Sequence, residues 1–448
     1  MPVLRPSSFT RRLVRRPPDI RSAMPRRLFC SGLAPDPTPA PQKTLGLGAL
    51  PSRIFPQYLR DRKPGSTLLS LKWPSPPKNM LVVMKLFSED ALAAAVKFAR
   101  YVHQDYAGTN VIVEGNVASQ IQEQLDFPVY ISDQSVPLGD KVDVVTTFGG
   151  DGTVLRAASL FKQHRSVPPI LSFNMGTLGF LNQWDFFDYK KAWQQMYMSG
   201  SIAIVGEAAM PRPHIGDSGI IGSTGDKWLH VKGKCMGARR TSKILLRPRI
   251  KADLYDGAGT RISHKGADET PVSLRAVNEF SVHRGSHPQM AMIDIYLNGN
   301  LLTEATADGI LVSTPTGSTA YSLSAGGPIV HPLVKTMLIT AISPRSLSFR
   351  SLALPLQSKL SLRISPKNRL RELELSVDGK RCAGLAPGTQ IEMEGEFVGQ
   401  DGPHDDEWHG GVPCVMRGED NPWEGGLNGL LKFNSPFGAD LPGGEYGL

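Results

Sequence analysis

The fold class predicted from this 448-residue sequence is α/β: an N-terminal domain with a largely parallel sheet, then a second, mostly-β domain. Three observations predict it. Short apolar runs alternate with helical stretches from residue 80 to 200. Beyond residue 201 the pattern changes to strand-like alternation, with Asn298-Gly299 marking a hairpin turn. Between these, Val142, Val144, Val145 and Phe148 form an apolar strand that ends in Gly149-Gly150-Asp151-Gly152-Thr153, after which Val154 to Phe161 reads as a helix.

Taken in order, residues 1–42 hold eight arginines, several serines and prolines, and only Asp19 and Asp36 as acids. They resemble a mitochondrial presequence, with Arg27-Leu28-Phe29-Cys30-Ser31 like a matrix-peptidase site cut after Phe29; a disordered basic tail is the alternative. Residues 43–79 are Pro-rich and read as linker. The α/β domain spans 80–200. Met80 to Lys85 is a buried strand, Ser88-Glu89-Asp90 caps a helix carrying Leu92, Val96, Ala99 and Val102, and Val111 to Val113 is a second strand. Ala118 to Leu125 reads as a helix, Pro169 to Phe173 as a strand running into a glycine turn at Asn174 to Phe180, and Phe186 to Met198 as a helix.

The mostly-β domain spans 201–400, with a Gly- and Ser-rich insert at 206–240. Its expected strands are Ile244 to Tyr255, Ala276 to His283, Ala291 to Leu297, Ile310 to Val312, Ser348 to Leu354, Lys359 to Ile364 and Glu372 to Val377. Residues 401–448 form a tail that either docks through Trp423 and Leu427 to Phe433 or moves freely.

Composition excludes some classes. No run of about 18 apolar residues exists, so no membrane span is expected. The net charge of +9 is concentrated in residues 1–43, which hold nine Lys/Arg against two acids; the remainder holds 41 against 39. A near-neutral body argues against nucleic acid as a partner. The four cysteines lie far apart, without metal-ligand spacing or disulfide density, so no metal ligands are assigned.

The chemistry sits in two stretches. A strand, a glycine turn and a helix start make an anion site, because glycine lets backbone N–H groups approach a phosphate. Asp151 lies inside that site. A carboxylate there repels phosphate unless a metal intervenes or it takes a proton from a hydroxyl, and both are kinase roles. An ordinary Asx turn is the alternative. The second stretch runs from Asp308-Gly309 through a strand into Ser313-Thr314-Pro315-Thr316-Gly317-Ser318-Thr319-Ala320-Tyr321, on to Pro328. Its hydroxyls and glycine suit phosphate and ribose, and Tyr321 can stack on a base; a polar surface loop is the bland reading. Asn278-Glu279 interrupts an otherwise apolar strand start, so one side chain faces a ligand or the strand ends in water.

Together the glycine loop, Asn174 to Leu181, Asn278-Glu279 and Asp308 to Pro328 resemble the NAD kinase family over about residues 80–400, and the Arg-rich N-terminus makes the fungal mitochondrial NADH kinases the most similar branch. The resemblance implies a C-terminal β-sandwich with the site in the cleft between the domains. It also implies ATP-dependent phosphorylation of the ribose 2′-hydroxyl of NAD(H), with Mg²⁺ on the triphosphate and a homo-oligomer in the mitochondrial matrix. By motif, Asp151 matches the general base and Gly149, Gly150, Gly152 and Thr153 the ATP-phosphate cradle. Asn278 and Glu279 match dinucleotide ribose contacts. Asp308, Thr319, Ala320, Tyr321 and Ser324 match the nicotinamide- and adenine-side pocket. One departure stands out: Ile342 to Ser351 carries Ser343, Arg345 and Ser351 where the family usually has Cys, His and Pro. A lipid kinase would share the glycine-Asp loop without needing Asn278-Glu279, and a dinucleotide sensor would not need Asp151.

Overall fold

A computed structural model describes residues 44–60, 68–132, 136–176, 179–200, 241–262, 264–265, 271–400, 408–418, 423 and 427. The expected presequence, the insert expected at 206–240 and most of the expected tail lie outside the described residues. The described residues belong to one compact unit that begins at Lys43.

The first sheet runs, edge to edge, Thr44–Gly46, Val129–Ser132, Asn110–Glu114, Asn79–Met84, Val144–Gly149, Ile170–Asn174, Val412–Val415, Lys243–Arg247, Leu69–Lys72 and Gln57–Arg60, with Trp184–Asp185 also against Ile170–Asn174. Pairing is parallel as far as Val412–Val415 and antiparallel beyond it. Asn79–Met84 and Val144–Gly149 are buried at every position, as strands covered on both faces must be. On one face Phe98, from the helix Glu89–Asp105, packs against Phe148 and Phe173. On the other, Val154, Ala157 and Ala158 of the helix Asp151–Ser159 meet Leu81, Val83 and Val145. Ser88 caps the first helix by accepting the Ala91 N–H, as its sequence predicts.

Two sheets form the second part. One runs Arg261–Ile262, Ile250–Tyr255, Gln390–Gly395, Leu360–Ile364, Ala291–Leu297 and Asn300–Ala307, with Leu274–Ala276 beside Ile250–Tyr255. The other runs Leu352–Pro355, Thr336–Ile342, Gly309–Ser313, Glu279–His283, Leu373–Val377 and Lys380–Leu385. Ile250, Ile293 and Leu362 from the first share a core with Phe280, Ile310 and Ile339 from the second, which is a β-sandwich. Asn298 and Gly299 both take positive φ, the geometry an Asn-Gly hairpin requires.

Several expectations need correction. Residues 43–79 are not linker: Thr44–Gly46, Gln57–Arg60 and Leu69–Lys72 are strands of the first sheet. Their prolines flank the strands rather than interrupt them, which edge positions allow. The run Ile244 to Tyr255 is two strands in different sheets, broken at Pro248, which cannot donate to a ladder. Thr336–Ile342, buried throughout, escaped notice. The expected tail supplies Val412–Val415 to the middle of the first sheet, and Trp423 packs edge-on against His331 with ring centroids 4.7 Å apart.

A buried ionic knot joins the two parts. Arg249 is fully buried; its Nε and Nη2 donate to the two Glu396 carboxylate oxygens at 2.6 and 2.8 Å. The guanidinium also donates to the carbonyls of Phe161, His164 and Arg165, just past the helix Asp151–Ser159. Arg275 Nε and the Gly411 N–H donate to Glu396 as well.

Candidate active site

The helix after the glycine turn starts three residues earlier than expected. Gly149 ends the strand, Gly150 is the N-cap with extended backbone, and Asp151 is the first helical residue. A carboxylate in the first turn opposes the positive end of the helix dipole, which favours this start. A Cβ on Gly149 would stand 2.2 Å from Thr153 Oγ1, so only glycine fits. Around ideal Cβ positions on Gly150 and Gly152 nothing lies within 4 Å, so the outer side of the turn is open.

Asp151 is held by the second glycine turn. Its Oδ2 accepts the Phe180 N–H at 2.8 Å; its Oδ1 accepts the Leu181 N–H and Asn182 Nδ2, both at 3.0 Å. A Cβ on Gly179 would sit 2.2 Å from Oδ1, so this glycine lets the turn close over the carboxylate. A carboxylate offers about four lone-pair directions, and three are taken here; Oδ2 keeps one.

The Ser313 to Ser324 stretch approaches through Arg247, the last residue of the strand Lys243–Arg247. Its buried guanidinium donates to the Phe180 carbonyl at 2.9 Å and to Thr316 Oγ1 at 3.3 Å. Asp151, Phe180, Arg247 and Thr316 are thus one connected chain. Thr314 N–H donates to the Asn278 carbonyl, and the Thr314 hydroxyl donates to the Val277 carbonyl. Gly317 packs on the same peptide: a Cβ there would be 2.1 Å from the Asn278 carbonyl oxygen. Gly317→Ala is therefore expected to cost about 1–3 kcal/mol through overpacking, read as a lower Tm.

Asn278 and Glu279 are both buried, and two acceptor atoms, Asn278 Oδ1 and Glu279 Oε2, have no hydrogen-bond partner. Beneath them Asp378, at φ 47°, accepts the N–H groups of Val277, Asn278 and Glu279. Burial first, and then the Asp378 carboxylate, push the Glu279 carboxyl up to about 7. Asp378 is itself pushed up by burial, against the pull of the backbone N–H groups that bind it.

Thr319 donates its hydroxyl to the Thr316 carbonyl, Ala320 joins the short helices Thr316–Thr319 and Tyr321–Ser324, and the Tyr321 ring and Ser324 are exposed. Asp308 is not brought to this cluster. It pairs with Arg284 at 2.6 Å, at the far end of the strand Gly309–Ser313. The strand Gly309–Ser313 lies between it and Thr314, six steps of chain or roughly 20 Å at 3.3 Å per residue. Thr177 and Leu178 lie outside the described residues. Arg247, Asn182 and Asp378 were missed in the sequence. Arg247 is the one charge after an apolar run, and Asp378-Gly379 is a turn dipeptide; each was a usable signal.

Residues 80–202 match the ATP-NAD kinase N-terminal domain and residues 277–395 the ATP-NAD kinase C-terminal domain. The mitochondrial NADH kinase of Schizosaccharomyces pombe is 34% identical over 397 residues, which cover 87% of this chain and 85% of the relative. This chain belongs to the NAD kinase family. The mitochondrial NADH kinase of Saccharomyces cerevisiae is 33% identical over 408 residues, covering 84% of this chain and 85% of the relative. A crystal structure of yeast NADH kinase complexed with NADH superposes with a TM-score of 0.68 at 32% identity, covering 88% of this chain and 98% of the yeast one. The NAD kinase fold, an α/β domain followed by a β-sandwich, is the architecture described above, and the chain is an NAD(H) kinase.

Proposed function

We propose that this NAD kinase transfers the γ-phosphoryl group of ATP to the 2′-hydroxyl of the adenosine ribose of NADH and NAD⁺, in the mitochondrial matrix, with Asp151 as the general base. The observation carrying this reading is the Asp151 carboxylate at the glycine turn, fixed by three N–H donors with one lone pair left on Oδ2. That lone pair would take the hydroxyl proton as the oxygen bonds to phosphorus and the bond to the β-phosphate oxygen breaks. Gly149, Gly150, Gly152 and Thr153 would cradle the ATP phosphates. Mg²⁺ carried on the triphosphate would supply charge neutralisation. Among the described residues no group of three or more His, Cys, Asp or Glu could hold a metal, so the donors would be mainly phosphate oxygens and water.

The unpartnered acceptors on Asn278 and Glu279 suit ribose hydroxyls, which are donors. Tyr321, with its exposed ring, would stack on a base beside Thr319, Ala320 and Ser324. Asp308, paired with Arg284 away from this cluster, would reach a dinucleotide only across the contact with a second copy in a homo-oligomer; light scattering that gave a monomer at assay concentration would remove that role.

The test is a coupled assay of the full chain with ATP and Mg²⁺, scoring NADP(H) formed from NAD⁺ and from NADH. Turnover with NADH well above NAD⁺ would assign the preference to NADH; no product from either would overturn the reading.

Glu279 gives a pH prediction. With its folded value raised to about 7 from 4.5, the ligand-free folded state holds a proton that the unfolded state has lost between these limits. Stability of the free protein therefore falls as pH rises through that window. A hydroxyl donor from ribose favours the ionised form, so NADH is expected to bind more tightly at pH 8 than at pH 6. Glu279→Gln should flatten both trends; fluorescence titration at the two pH values checks it.

A further inference from the structure

We infer that Phe87 is the platform on which the adenine of the phosphoryl donor stacks, an assignment that rests on the reading of ATP as donor. The strand order divides between Asn79–Met84 and Val144–Gly149. The chain leaving the first strand enters the helix Glu89–Asp105 on one face of the sheet. The chain leaving the second enters the helix Asp151–Ser159 on the other. Open α/β sheets bind nucleotides in the crevice at such a division, outside the carboxyl ends of the strands. Residues 85–87 form one lip of that crevice and the glycine turn the other. Lys85 N–H donates to the Phe148 carbonyl at 2.8 Å, and a Cβ on Gly149 would stand 3.1 Å from Lys85 Cβ.

Phe87 is costly where it stands. Its backbone takes φ 57°, a left-handed conformation that a bulky residue adopts only at an energetic cost, and its side chain is fully exposed. Among the described residues the ring therefore buries nothing that would offset the strain. Strained positions of this kind cluster at ligand clamps.

The side on which Phe87 lies selects the donor over the acceptor. Thr316, two residues past the Thr314 N–H that binds the Asn278 carbonyl, reaches Asp151 through Arg247 and Phe180, from the Ile170–Asn174 side of the central strand. Phe87 follows Asn79–Met84, on the opposite side. Two substrates arriving from opposite sides of Asp151 match the in-line arrangement of attacking and leaving oxygens in phosphoryl transfer.

The test uses the full chain and its Phe87→Ala, Phe87→Trp and Phe87→Gly variants, with KM for ATP measured at saturating NADH and the reverse. Phe87→Ala is expected to raise KM for ATP at least about tenfold, within what one base–aromatic stack is worth, with KM for NADH inside twofold. Phe87→Trp should keep the wild-type KM or lower it. Phe87→Gly should raise Tm by releasing the strain while raising KM for ATP as Ala does. An unchanged KM for ATP in the Ala variant overturns the assignment, as does a rise in KM for NADH alone or a fall in Tm for Phe87→Gly. A wild-type chain that transfers nothing from ATP overturns the donor reading and this assignment together.

Discussion

Asp151→Asn is expected to lower kcat at least about a hundredfold while NADH affinity stays within a few fold. General-base catalysis is typically worth a factor of about 10²–10⁴, and asparagine keeps the shape but cannot take a proton. The amide also meets three donors that the carboxylate accepts, from Phe180, Leu181 and Asn182. Whichever way it turns, its NH₂ faces at least one of them, so the second glycine turn loosens by about 1 kcal/mol for each hydrogen bond lost. A modest fall in Tm should accompany the loss of rate. Steady-state kinetics together with NADH binding by fluorescence separate the two effects. A rate close to wild type would remove Asp151 from the chemistry and leave it as the post that anchors Phe180 to Asn182.

Glu396→Ala is expected to destabilise the fold by about 3–5 kcal/mol, the usual consequence of leaving one partner of a buried ion pair behind. Arg249 would keep its charge with no carboxylate, and the Gly411 N–H would lose its acceptor. Against a typical stability of about 5–15 kcal/mol, that is a large share. The double variant Arg249→Met, Glu396→Leu removes the buried pair but leaves Arg275 without its carboxylate, so it should recover only part of the loss. Urea denaturation of the three proteins checks the order. A single variant as stable as wild type would mean that water reaches the Arg249 guanidinium.

The parts of the site legible in the sequence were those where polar or glycine residues stand where apolar ones are expected. Gly149 to Thr153, Asn278-Glu279 and Ser313 to Tyr321 all break an apolar pattern, and each break has a structural cause: a close approach, a buried acceptor or a backbone bridge. Arg247 broke its pattern too, but one charge at the end of a strand looks like an exit to water. Only its partners, Phe180 and Thr316, distinguish the two, and both are remote in sequence. Asp308 is grouped with Thr319 and Tyr321 by the family resemblance, and within one chain the extended strand Gly309–Ser313 carries it away from them. The strands of residues 44–72 and 412–415 were hidden for another reason. Each is three or four residues long, and its pairing is decided by partners far along the chain rather than by local pattern.

The place of Val412–Val415 governs the order in which this chain can fold. The strands from Asn79 to Asn174 can pair as they leave the ribosome, and so can Gln57–Arg60 with Leu69–Lys72. The two groups stay separate sheets until Val412–Val415 enters between Ile170–Asn174 and Lys243–Arg247. Beyond the end that Trp184–Asp185 covers, the flank of Ile170–Asn174 thus waits for nearly the whole chain. During that interval it is an unpaired edge, the surface on which aggregation starts and which chaperones shield.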